Sequence, residues 1–173
     1  MNQTETTHSS VYWGFWMTLV FGMVIAGVWI GSQILTAVLM ANQSGVDVDQ
    51  MVLDGDLLSA ATIVSAVIGT FATFVFVWLK KGATLRDYLG FRPISIRSIV
   101  YLLILTAAFM IAQEWLSRQM NKDEIPEFMF DAYHTVTWMP LLWFAVSIAG
   151  PVLEEIFFRG FLLQGFRHTF MGN

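Results

Sequence analysis

The chain has 173 residues, of which 56% are hydrophobic and 13% are charged, and its formal net charge is −4. Soluble domains carry about 25% charged residues, so this composition indicates an integral membrane protein. The chain has no basic face, which excludes nucleic acid as a partner, and it has no cysteine, which excludes disulfides, thiolate metal sites and a cysteine nucleophile.

The N-terminal segment, residues 1–10, is polar and contains neither Lys nor Arg. A secretory signal peptide begins with basic residues, so this segment is not one. We expect residues 1–10 to form a disordered tail and residues 11–173 to form one membrane-embedded helical domain.

Four apolar stretches are long enough to cross a bilayer as helices, which takes about 20 residues. Because these runs are continuous rather than alternating, helices are favoured over a β-barrel. The predicted fold class is all-α, a polytopic transmembrane helical bundle of about four spans. The predicted spans run from about Val11 to Met40, Leu57 to Leu79, Ile96 to Trp115 and Trp138 to Phe166.

The basic residues predict the orientation of the spans, because they accumulate on the cytoplasmic side. The segment between spans one and two has four aspartates and no basic residue. We therefore expect the segment between spans two and three to be cytoplasmic, as is the N-terminus. That segment carries five of the nine basic residues: Lys80, Lys81, Arg86, Arg92 and Arg97.

Two smaller features have structural interpretations. Gly22 and Gly27 give span one a small-residue face for close helix packing. The segment from Glu127 to Val136 predicts a short interfacial helix with Phe128, Phe130 and Tyr133 on the membrane side, and His134 within it is interpreted as a surface histidine.

Span four contains two adjacent carboxylates and an arginine, Glu154, Glu155 and Arg159. Each ionised group at bilayer depth costs roughly 2.5–3.5 kcal/mol on insertion scales, so the default interpretation is an intramembrane functional site. The structural alternative is an ion pair that pins two helices or marks the cytoplasmic interface.

Local sequence suggests how these three residues are arranged. Pro151 lacks an N–H, and with Gly150 before it we expect a bent or broken backbone near Gly150. A helix that restarts at Pro151 would put the carboxylates in its first two turns, where the dipole favours negative charge. Glu155 and Arg159 are four apart and predict an ion pair, whereas Glu154 points about 100° away and is available as a general base.

The motif Glu154-Glu155-x-x-x-Arg159, preceded by Pro151 and followed by Gly160, resembles the first signature of the CPBP intramembrane proteases. These are the relatives of the CAAX prenyl endopeptidases, also called the Abi family. The resemblance implies an all-helical membrane fold and an endopeptidase in which Glu154 activates a water for attack on a peptide bond. Glu155 and Arg159 would be the supporting pair that orients Glu154.

The resemblance also implies either a metalloprotease with a divalent metal, zinc, or a water activated by Glu and His without a tightly held metal. In both cases, two downstream motifs supply the histidines. Those ligand histidines are not present in this chain, in which His168 is the single histidine after the motif. We interpret His168, beside Arg167, as a basic helix end rather than a ligand. We therefore expect the chain to be a fragment or frameshifted product of a CPBP-type protease, with weak or no proteolysis on its own.

The expected partners are membrane lipids and a peptide or protein substrate, for which the family resemblance implies a prenylated tail. The expected location is a bacterial plasma membrane. Because bacterial relatives include bacteriocin self-immunity proteins, the alternative function is a non-catalytic membrane immunity or scaffold protein that acts through its helices. A transporter that uses the carboxylates as a proton site is a third hypothesis, although the sequence has no inverted repeat.

Overall fold

The computed structural model describes residues 12–45, 53–80, 82–91, 95–119 and 127–170, so the predicted tail of residues 1–10 lies outside the described residues. Regular structure within these ranges is helical, without strands. The helices are α1 (Phe15–Ser44), α2 (Gly55–Trp78), α3 (Leu85–Tyr88), α4 (Ile96–Gln119), α5 (Glu127–Thr135), α6 (Met139–Phe144), α7 (Gly150–Glu154) and α8 (Gln164–Phe170), with π-helical segments at Ala145–Ala149 and Glu155–Leu163.

Four helices in the described ranges are long and apolar enough to cross a membrane. They are α1, α2, α4 and a composite helix, Met139–His168, which is called span four below. The predicted spans are confirmed, with ends that differ by a few residues. The chain is thus an all-α, polytopic integral membrane protein.

The ends of the first two spans follow from local sequence. Asp54 caps α2, because its Oδ1 accepts hydrogen bonds from the backbone N–H groups of Asp56 at 3.0 Å and Leu57 at 2.9 Å. Such a cap stabilises a helix by about 1 kcal/mol. Helix α1 ends before Gly45, which is in the left-handed region with φ of 70° and donates its N–H to the Ala41 carbonyl.

Helix α1, helix α2 and span four pack together, and small residues allow them to approach closely. Gly69 of α2 lies against Leu153 of span four and Trp29 of α1, and Gly22 of α1 lies against Leu162. By contrast, nothing approaches Gly27, so the predicted small-residue face is used at Gly22 only. The buried core residues are Ile25, Ala66, Val77, Tyr88, Leu89, Leu153, Ile156, Phe157 and Phe161.

Helix α4 differs from the other spans because none of its residues is buried. The packed unit that carries the charged motif is therefore formed by α1, α2 and span four.

The short helix α3 is packed where α1 begins and span four ends. The Tyr12 hydroxyl donates to the Asp87 carbonyl at 3.1 Å, and His168 stacks on the Tyr12 ring with centroids 3.8 Å apart. Tyr88 is fully buried, and its ring centroid is 5.8 Å from that of Phe161. These contacts attach the segment between spans two and three to the last turns of span four.

The prediction of a broken backbone near Gly150 is wrong, whereas the predicted bend stays a prediction. Ala149 has φ −63° and ψ −49°, and Gly150 has φ −59° and ψ −60°, so both are helical. The π-helical segment before Pro151 explains the continuity, because the Gly150 N–H donates to Ala145, five residues earlier, and the wider turn accommodates the proline. No new helix starts at Pro151, so no helix N-terminus stabilises Glu154.

Candidate functional site

Span four has one buried face and one open face, and the charged residues lie on the open one. Glu154, Glu155 and Arg159 are exposed, as are the flanking apolar residues Phe158 and Leu163. The opposite face packs into the bundle through Leu153, Ile156, Phe157, Gly160 and Phe161. The three residues that the sequence singled out therefore share one surface that the described parts of the chain do not cover.

The motif lies near the middle of the span. Glu154 is fifteen residues after Met139 and fourteen before His168, the two ends of span four. At 1.5 Å per residue, Glu154 is about 21–22 Å from each end of this helix. Because the helix is longer than the roughly 30 Å of a hydrocarbon core, an ionised group near its middle would need water or a polar partner inside a bilayer.

Glu155 and Arg159 form the ion pair that their spacing predicts. Arg159 Nη1 donates to Glu155 Oε1 at 2.6 Å, and the two side chains are 73% and 58% exposed, respectively. Glu154 has no hydrogen bond or ion pair with any described residue. One carboxylate is thus held by a cation, and its chain neighbour is open to other ligands.

The backbone around the motif is unusual in a way that the sequence did not indicate. A π-helical segment of nine residues begins at Glu155, and another of five residues precedes α7. Such segments are rare and occur frequently at functional sites. Hydrophobic periodicity does not distinguish π from α geometry over so few residues, so this feature was missed.

The sequence analysis also missed a contact on the buried face of span four, opposite the charged motif. Gly160 lies against Leu89, and a Cβ at Gly160 would be 3.0 Å from Leu89 Cδ2. Gly160 was the available signal, because a glycine next to the motif indicates a close approach. Leu89, directly after α3, therefore supports the helix that presents Arg159.

A zinc site requires three or more protein ligands, and the residues in the described ranges do not provide them. No group of three His, Cys, Asp or Glu side chains in these ranges could hold a metal ion. His168 stacks on Tyr12, and the ring centroids of His134 and Phe130 are 4.3 Å apart. Glu154 and Glu155 alone do not fit a zinc site, and His8 lies outside the described residues.

The arrangement is suited to acid–base chemistry on a polar group that enters from the open face. Glu154 is available to accept a proton from a water molecule. Arg159 uses Nη1 for Glu155, and its remaining N–H groups have no partner among the described residues. These donors are available to stabilise negative charge on an oxygen atom.

Comparison with curated proteins and with solved structures gave no match. Comparison with family models matched residues 136–173 to the type II CAAX prenyl endopeptidase Rce1-like model. The matched segment contains all of span four, with Glu154, Glu155 and Arg159. Residues 136–173 are therefore similar to the Rce1-like type II CAAX prenyl endopeptidases, and this match confirms the resemblance that the Glu-Glu-x-x-x-Arg motif indicated.

Proposed function

We propose that span four carries catalytic residues of an intramembrane endopeptidase of the CAAX-processing type. The observation that carries the proposal is the open Glu154 carboxylate beside the Glu155–Arg159 ion pair, near the middle of a helix long and apolar enough to cross a membrane. The Rce1-like match over residues 136–173 supports the same reaction class.

In this proposal Glu154 is the general base. It takes a proton from a water molecule as the water oxygen attacks the carbonyl carbon of the scissile peptide bond. The proton then passes to the leaving amine as the C–N bond breaks. Arg159 holds Glu155 and stabilises the developing negative charge on the carbonyl oxygen with its remaining N–H groups. The reaction is written without a metal, because Glu154 and Glu155 alone do not form a zinc site.

The proposed substrate is a peptide or protein with a prenylated C-terminal tail. Apolar side chains flank the charged residues on the open face, among them Val152, Phe158 and Leu163, and they offer a surface for an isoprenoid chain. We further propose a bacterial plasma membrane with a cytoplasmic N-terminus. This orientation is supported by the basic residues Lys80, Arg86 and Arg167, which follow α2 or lie in α3 and α8.

The test is a cleavage assay with the protein purified from its native membranes and reconstituted in liposomes. The probe is a farnesylated CAAX peptide with an N-terminal fluorophore, and mass spectrometry detects loss of the last three residues. We expect Glu154→Gln to lower the cleavage rate by about 10²–10⁴-fold. Glu114→Gln is the control, because Glu114 is another exposed carboxylate in a candidate span, where it is paired with Arg118 four residues later. Unchanged cleavage by Glu154→Gln would refute the assignment.

A non-catalytic immunity or scaffold function is the second candidate, and one observation favours it. Gly27 of α1 is exposed with nothing near it, so a helix of another protein could approach α1 closely there. This function predicts that protection of cells against a bacteriocin survives Glu154→Gln and is lost in Gly27→Leu. Loss of protection in Glu154→Gln would contradict it.

A further inference from the structure

Helix α5 has an outward face that no described residue covers. Met129, Phe130 and Tyr133 are 39%, 55% and 43% exposed, and His134 is exposed beside Phe130. At 100° per residue these four side chains fall within an arc of about 140°. The helix therefore presents a continuous surface of aromatic rings and one thioether.

The inward face of α5 is fixed to the first residue of α2. Ala132 is buried, and its carbonyl lies directly against Gly55. The Gly55 N–H also donates to the Thr135 hydroxyl at 2.8 Å. A side chain at position 55 would collide with the Ala132 carbonyl, so the contact depends on glycine. These contacts determine which face of α5 points away from the bundle.

A second attachment lies between α5 and span four. The Asp56 carboxylate accepts hydrogen bonds from the Thr137 backbone N–H at 2.9 Å and from the Thr137 hydroxyl at 2.6 Å. Thr137 is two residues before Met139, where span four begins. Helix α5 is thus held where two membrane spans, α2 and span four, both begin.

This location sets the level of α5 in the membrane. The ends of two spans mark one boundary of the bilayer, and Trp138, which is 61% exposed, lies beside it. Tryptophan and tyrosine concentrate at this boundary, because one part of each ring is apolar and another part forms hydrogen bonds.

We propose that the outward face of α5, formed by Met129, Phe130, Tyr133 and His134, is a lipid-binding surface in the headgroup region of the leaflet at which α2 and span four begin. In water the apolar rings of this face would be exposed to solvent, whereas the headgroup region accommodates both the rings and their polar groups. The Phe128 side chain lies outside the described residues. This inference does not depend on the proposed protease activity.

The test uses spin labels, because the chain has no cysteine and single cysteines can be introduced cleanly. The test variants are Met129→Cys, Phe130→Cys and Tyr133→Cys, each labelled and reconstituted in phosphatidylcholine–phosphatidylglycerol vesicles. Leu103→Cys on the exposed surface of α4 is the lipid control, and Arg86→Cys in α3 is the aqueous control. Oxygen reports lipid exposure, and a water-soluble nickel chelate reports water exposure.

All three α5 labels are expected to collide several-fold less with the nickel chelate than the label at position 86. They are also expected to collide less with oxygen than the label at position 103, because a label in the headgroup region lies less deep in the bilayer than a label on α4. Nickel collisions equal to those at position 86 would mean a water-facing surface and overturn the proposal. Few collisions with either reagent would mean that a protein covers α5, which would overturn it as well. Since all three sites are exposed, agreement among them guards against one misfolded variant.

Discussion

Arg159 and Glu155 are joined by a hydrogen bond of 2.6 Å between Nη1 and Oε1, four residues apart on the open face of span four. Arg118 and Glu114 repeat this relationship on α4, with 2.8 Å between Nε and Oε1 and similar exposure. An ion pair of this kind is therefore not specific to the site. What distinguishes span four is the additional carboxylate of Glu154, which has no partner among the described residues.

If Glu155 and Arg159 act as a unit, the effects of their substitutions on the cleavage rate should not be additive. In the cleavage assay, Glu155→Gln and Arg159→Ala are each expected to lower the rate, and the double variant should be no slower than the slower single variant. Interacting residues show such coupling, commonly about 0.5–3 kcal/mol in double-mutant cycles. The matched cycle of Glu114→Gln and Arg118→Ala should leave the rate unchanged. Independent, multiplicative losses at Glu155 and Arg159 would contradict the supporting-pair role.

Close packing between α1 and α8 makes Gly165 sensitive to any side chain. A Cβ at this position would be 2.5 Å from both Oγ1 and Cγ2 of Thr18, which is fully buried. Overpacking of this kind typically costs about 1–3 kcal/mol, so Gly165→Ala should lower the thermal unfolding midpoint in detergent micelles. Gly27→Ala is the control, because nothing approaches that position, and it should leave the midpoint unchanged or raise it. Equal midpoints for the two variants would contradict this packing.

The spans and the Glu155–Arg159 pair could be predicted because both follow from short-range sequence patterns. Hydropathy gives each span to within a few residues, and a separation of four places two side chains on one helix face. The continuity of the helix through Pro151 could not be predicted, since it depends on a π-helical segment whose hydrogen bonds have no sequence signature. The contact of Leu89 with Gly160 joins distant parts of the chain, so no local pattern contains it.

The hydrogen bonds between Asp56 and Thr137 should contribute measurably to stability, because they connect α2 to the start of span four. Asp56→Ala removes the acceptor of both bonds, and a hydrogen bond contributes about 0.5–1.5 kcal/mol net. Thr137→Val removes only the hydroxyl donor, so it should lower the free energy of unfolding less than Asp56→Ala does. The free energy is measured by denaturant titration in micelles, and a Thr137→Val loss that exceeds the Asp56→Ala loss would contradict the geometry.

Tyr88 should make stability depend on pH in the alkaline range. Burial raises the pKa of Tyr88 from 10.0 to about 12, while the nearby Trp13 backbone and Thr18 side chain lower it, although no described residue forms a hydrogen bond of standard geometry with the hydroxyl. Because the unfolded chain releases this proton near pH 10 and the folded protein near pH 12, the Tyr88 contribution to stability is constant below pH 10. It falls as the pH rises from 10 to 12.

Tyr88→Phe isolates this effect, because it keeps the ring packed against Phe161 and removes the ionisable hydroxyl. At neutral pH the variant should be about as stable as the parent, since no hydrogen bond is lost. Between pH 10 and 12, thermal unfolding midpoints in micelles should fall more steeply for the parent than for Tyr88→Phe. The difference between the phenolate absorbance titrations of the two proteins should show one tyrosine that ionises near pH 12. Parallel midpoint curves, or a difference titration centred near pH 10, would mean that the Tyr88 hydroxyl is accessible to water and that α3 is not packed against span four as described.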